Sequence, residues 1–160
     1  MTHSLFSALL IGVLFSALPG QGSKPNFTGK WTLDVAKSDF GQFPPPESIV
    51  HVIEHKEPSI KITTHSKSQM GEMSAEHNLT TDGKEHLNKM RVMNTDQEVK
   101  VAGKWDGDKL ATSWGFEGQG GRVEFSDSWS LSEDGKVLTL VRVAKSSQGE
   151  FTLRTVYNRQ

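Results

Sequence analysis

The chain has 160 residues, which fits one domain around one core, and a formal net charge of −1 with acidic and basic residues interspersed. That balance excludes the concentrated basic field of a nucleic-acid footprint. With no cysteine, the chain has no disulfides, thiolate metal sites, cysteine nucleophiles or lipidated cysteine anchor.

Residues 1–23 read as a signal peptide. The apolar run from Leu5 to Leu18 has the length of a signal-peptide core and falls short of the roughly 20 residues of a membrane-spanning helix. Pro19 and small residues follow, placing cleavage between Ala17 and Ser23, although no Lys or Arg precedes the run. The remaining 24–160 contain no second apolar segment of that kind. The expected mature product is therefore an exported protein that is not integral to a membrane.

From Asn26 onward the dominant period is two, the repeat of strands with one wet face. "KWTLDV" is the first strand, followed by the break "DFGQFPPPES", in which Pro44, Pro45 and Pro46 hold an extended strap across one end of the fold. "SIVHVIEH", "SIKITTHS" and "MSAEHNLT" come next, then a strand within 85–94. "EVKVAGKW", "KLATSWGF", "RVEFSDSWSL", "KVLTLVRVA" and "EFTLRTVY" complete the series. Asp-Gly pairs in "TDGK" (81–84), "WDGD" (105–108) and "EDGK" (133–136) are hairpin signals. Eight to ten consecutive antiparallel strands make a meander. Closing it into a single barrel removes the two edges and the uncovered apolar face of an open sheet. The expected class is all-β, with a sandwich as the alternative.

Gly29-Lys30-Trp31 resembles the Gly-x-Trp that opens the first strand of lipocalins, and "FTGKWTLDVAKSDF" resembles the opening of the fatty-acid-binding proteins. "KWDGDKLATSW", "DGKVLTLVR" and the closing "LRTVYNRQ" resemble later parts of the same calycin superfamily. The likeness extends loosely to secreted bacterial lipocalin-like proteins, which implies a secreted or periplasmic location. It also implies a lipocalin-like barrel, Trp31 plugging one end, and a late arginine, Arg154 or Arg159, stacked on that indole. The Thr-Asp-Tyr signature of lipocalins is missing. Arg154 and Tyr157 are three apart and point to opposite faces of a strand, unlike the Arg-x-Tyr pair of the fatty-acid-binding proteins.

The candidate ligand wall is Trp105, Trp114, Phe116, Phe125 and Trp129, with Met90, Met93, Val101 and Val141 as its softer parts. Asp127, between Phe125 and Trp129, is the best inward polar candidate and a possible acid. His77, between Ala75 and Leu79, and Tyr157 complete the set. His51 and His55 share a face but stand about 13 Å apart along an extended strand, and read as polar surface histidines. No histidine follows His86 to serve haem, no Gly-x-Ser-x-Gly elbow occurs, and neither a cofactor nor a metal is expected. "NFT" and "NLT" match the N-glycosylation pattern, which matters only in a eukaryotic secretory route.

The reading these features favour is binding of a small apolar or amphipathic molecule in the barrel. One rival is an interaction or structural module that works through its barrel-end loops. The other is an enzyme on a lipid-like or cyclic substrate, which requires His77, Asp127 or Tyr157 to converge within hydrogen-bond reach.

Overall fold

A computed structural model describes residues 24–69, 71–92, 95–118 and 120–160. The expected leader and Met93 lie outside the described residues.

The ten strands are β1 (Gly29–Leu33), β2 (Ser48–Lys56), β3 (Ser59–Ser68), β4 (Gly71–Thr80), β5 (Asp82–Val92), β6 (Thr95–Asp106), β7 (Lys109–Gly118), β8 (Gly121–Leu131), β9 (Val137–Ser146) and β10 (Gly149–Arg159). All pairings are antiparallel, in the order β4-β3-β2-β1-β10-β9-β8-β7-β6-β5. The first and last strands meet, with Trp31 opposite Arg159 and Leu33 opposite Tyr157. The expected all-β meander barrel is thus the observed fold.

Closure differs from expectation in one place. The two ends of the sheet order, β4 and β5, are consecutive in the chain yet form no ladder. The Asp82-Gly83 pair is therefore not the hairpin turn its sequence signals. It opens β5, where the register with β6 shifts between Asp82 and Glu85. Side chains span the seam instead. The Asn78 backbone N–H donates to Asn88 Oδ1 at 2.6 Å, and Asn88 Nδ2 donates back to the Asn78 carbonyl at 3.0 Å. Asn88 is buried, so its amide satisfies backbone groups that a regular ladder would have paired.

Gly103 faces this seam from β6. A Cβ there would clash with Leu79 Cδ1 and come within 3.0 Å of the Thr80 carbonyl oxygen. Leu79 is itself buried and has little room to retreat. Gly103→Ala is expected to cost about 1–3 kcal/mol, read as a lower urea midpoint. An unchanged midpoint would show that the seam opens freely.

One end of the barrel is closed by aromatics. Trp31 is fully buried and its indole donates to the Phe27 carbonyl at 2.9 Å. Phe27, His55 and Trp105 cluster in a triangle, with Phe27 stacked on the other two at 6.0 and 5.9 Å and those two 6.0 Å apart between ring centroids. Of the two arginines that Trp31 was expected to carry, Arg159 lies over the indole at 4.4 Å. It also donates to the carbonyls of Thr28 and Gly135. Gly29 makes room for it: a Cβ there would come within 3.1 Å of Arg159 Nη1. Arg154 instead serves the strap. It pairs through the backbone with Asp39 and donates from its side chain to the Lys37 carbonyl.

The strap leaves β1 through a single 3₁₀ turn at Val35–Lys37 and runs along β10, where Phe43 packs on Phe151 at 4.7 Å. It returns to β3 through the Glu47 N–H and the Lys67 carbonyl. Pro44 and Pro45 are exposed and Pro46 is half-buried, as residues without a donor tolerate at a rim.

Candidate functional site

Alternation along the strands turns a second set of side chains into the barrel beyond the aromatic end. They line a cavity of about 180 Å³ with residues of nine strands, β2 to β10, among them Ile49, Ile62, Met90, Val101 and Leu140. Of the residues singled out from the sequence, His77, Trp114, Asp127, Trp129 and Tyr157 line this cavity.

Three do not. Trp105 belongs to the closed end, its indole donating to Glu57 Oε1 at 2.9 Å. Phe125 stacks on Trp114 at 4.2 Å, and Phe116 stacks on Phe125 at 5.9 Å; both share the inward parity of the lining residues and continue the inner face beyond the cavity. Val141 is corrected. On β9 the inward positions are Leu138, Leu140 and Arg142, which places Val141 on the other face. The histidines of β2 are corrected as well. His51 and His55 are buried, because they share strand parity with the core residue Ile53.

Arg142 is the functional candidate that sequence reasoning missed. It sits directly opposite Asp127 in the β8–β9 ladder. Its Nε and Nη2 donate to the two carboxylate oxygens, each at 2.7 Å. The guanidinium also lies over the rings of Trp114 and Phe125, at 5.2 and 5.1 Å. Trp114 Nε1 donates a third bond to Asp127 at 3.3 Å. Asp127 is therefore a paired carboxylate, not an isolated acid among aromatics. Charge-assisted bonds of this fork geometry are the strong ones, and they fix both side chains.

The remaining polar groups are neutral donors and acceptors. His51 packs against Tyr157 at 4.7 Å and Trp129 at 5.6 Å, with its Nδ1 hydrogen-bonded to Thr64 Oγ1 at 2.8 Å. Burial, aided by Arg142 and His77, pushes the His51 imidazole down to about 3. His77 sits edge-on to Trp114 at 5.5 Å. Burial pushes it down to about 4, with Arg142 acting in the same direction and Asp127 opposing. Burial raises the Tyr157 phenol above its ordinary value. All three are thus uncharged near pH 7. Trp129 Nε1 donates to Thr112 Oγ1 at 3.1 Å, so that indole is already satisfied.

His77, Asp127 and Tyr157 converge on one cavity, but among the described residues no hydrogen bond joins any two of them. A larger groove of about 610 Å³ runs from the closed end toward the seam, lined by Lys56, Lys61, Asn78, Leu79 and His86 among others. It lies open to solvent beside charged residues. The barrel interior is the better candidate because its wall is apolar and its polar groups converge.

No protein-family model matches the chain, and no curated protein matches it significantly. Solved structures do. A zebrafish ileal bile acid-binding protein complexed with cholic acid is 17% identical with a TM-score of 0.57, covering 84% of this chain and 98% of its own. A Schistosoma mansoni fatty acid binding protein in complex with arachidonic acid is 15% identical with a TM-score of 0.52, covering 87% and 99%. At these identities the likeness is one of fold, and it agrees with the ten-stranded meander described above.

Proposed function

We propose that the protein binds a small apolar or amphipathic molecule inside the barrel. The observation that carries this reading is the cavity of about 180 Å³, in which Ile, Met, Val, Leu and Trp side chains surround a few converging polar groups. Apolar burial supplies the affinity, and the polar groups orient the occupant. The structural neighbours support the use of such a barrel in this way, since one was solved with cholic acid and the other with arachidonic acid.

Residues 1–23 direct export, and the mature chain from residue 24 acts outside the cytoplasm as a secreted or periplasmic lipocalin-like protein. This part of the reading rests on the apolar leader and on the resemblance of the Gly29-Lys30-Trp31 opening. N-terminal sequencing of the fractionated protein tests it. An intact Met1 in the cytoplasmic fraction would overturn it.

Native mass spectrometry of the protein purified from its own cells tests the binding role, followed by titration with a polarity-sensitive fluorescent dye. The expected result is a retained small molecule, or saturable 1:1 dye binding that Trp114→Arg abolishes by filling the cavity. Dye binding that the arginine leaves unchanged would remove the interior from consideration.

A further inference from the structure

Resting on that binding role, the geometry points to a narrower ligand class: a compact, uncharged molecule of one or two rings carrying a hydroxyl group, and not a carboxylic acid. Three observations lead there.

The interior cation is already committed. Arg142 directs Nε and Nη2 at Asp127, so the protein's own carboxylate fills the place where an acidic ligand would dock. A ligand carboxylate on the remaining edge of the guanidinium would lie within a few ångströms of Asp127, in a wall that screens charge poorly. The other titratable groups lining the cavity, His51, His77 and Tyr157, offer no second positive charge near pH 7. The lining therefore holds one positive and one negative charge, joined to each other.

One polar atom is left over. His51 Nε2 is buried and has no hydrogen-bond partner among the described residues, although its side chain lines the cavity. Buried polar atoms are paired in the great majority of cases, so an unpaired one in a cavity wall marks where a ligand atom belongs. The bond from Nδ1 to Thr64 Oγ1 allows either tautomer, leaving Nε2 as donor or acceptor. A hydroxyl serves both states, whereas a carboxylate serves only one.

Size gives the third constraint. An apolar cavity of about 150 Å³ holds benzene, and the space here is about 180 Å³. That suits a small ring system with one substituent.

The test uses the mature protein at pH 7 and three probes of one shape: 1-naphthol, 1-naphthoate and naphthalene, titrated by calorimetry. Naphthol is expected to bind 1:1 and naphthoate at least tenfold more weakly. His51→Phe keeps an aromatic ring but removes Nε2. It is expected to weaken naphthol about tenfold while leaving naphthalene unchanged. Naphthoate binding as tightly as naphthol would overturn the inference and leave the broader binding role standing. Equal losses for naphthol and naphthalene in the variant would overturn the assignment of His51. Failure of all three probes would overturn the inference, and the native mass spectrum and dye titration then decide the broader binding role.

Discussion

Asp127→Ala is expected to destabilise the fold by about 3 kcal/mol, read from denaturant unfolding at pH 7. The carboxylate is almost fully buried and accepts two bonds from Arg142 and one from Trp114. Its removal leaves the guanidinium over the rings of Trp114 and Phe125 with no carboxylate to pair with. The expected cost sits at the low end of the range for broken buried pairs because the Arg142 side chain keeps 28% exposure toward the cavity. Replacing both partners with apolar residues, Asp127→Leu with Arg142→Met, is expected to recover most of the loss. Desolvating two charges consumes much of what their attraction returns, so a packed apolar pair serves stability about as well. A single-variant cost below about 1 kcal/mol would place the pair among solvated surface bridges and contradict its burial. The recovery bears on function: if the ion pair adds little net stability, its presence in the wall is better understood through what it does to the cavity's chemistry.

Much of the barrel was legible because alternation and turn chemistry are local. Gly107-Asp108 turns β6 into β7, and the loop at 132–136 turns β8 into β9, where the Asp-Gly pairs indicated. The same signal misled at Asp82-Gly83. Nothing local distinguishes a turn within a ladder from one at which the ladder is interrupted, and the seam is held by Asn78 and Asn88, ten residues apart. The cavity was half legible. Asp127 and Trp129 stand on a strand whose other face is plainly polar, which fixes their direction. On β9 both faces are largely apolar, Val137, Val141 and Val143 against Leu138, Leu140 and Ala144, so parity alone does not turn Arg142 inward. That follows from its register opposite Asp127, a long-range fact. The β2 histidines had a usable signal in their shared parity with Ile53, but the usual exposure of polar side chains argued against it.

Two buried histidines, His51 of β2 and His77 of β4, underlie the second large effect: the protein is expected to lose about 4 kcal/mol of stability between pH 7 and pH 5. His51 and His77 take up protons near 6.5 in the unfolded chain but only near 3 and 4 when folded. Their depressed values mean that the unfolded state binds more protons over this interval. Stability is therefore complete above about pH 6.5 and falls as the pH drops, levelling off only below the folded values. Each histidine contributes about 2 kcal/mol by pH 5. Around them, Arg142 opposes protonation of both, and the Asp127 carboxylate eases that of His77 only partly because Arg142 engages it. Carboxylates titrate mostly below this interval, so a slope between pH 6.5 and 5 reports the imidazoles. Denaturant unfolding at stepped pH measures it directly. His77→Phe, which keeps a ring against Trp114, is expected to halve the slope. A stability that stays flat from pH 7 to 5 would mean that the imidazoles are hydrated in the folded state, and with it the picture of a neutral, water-poor interior would fail.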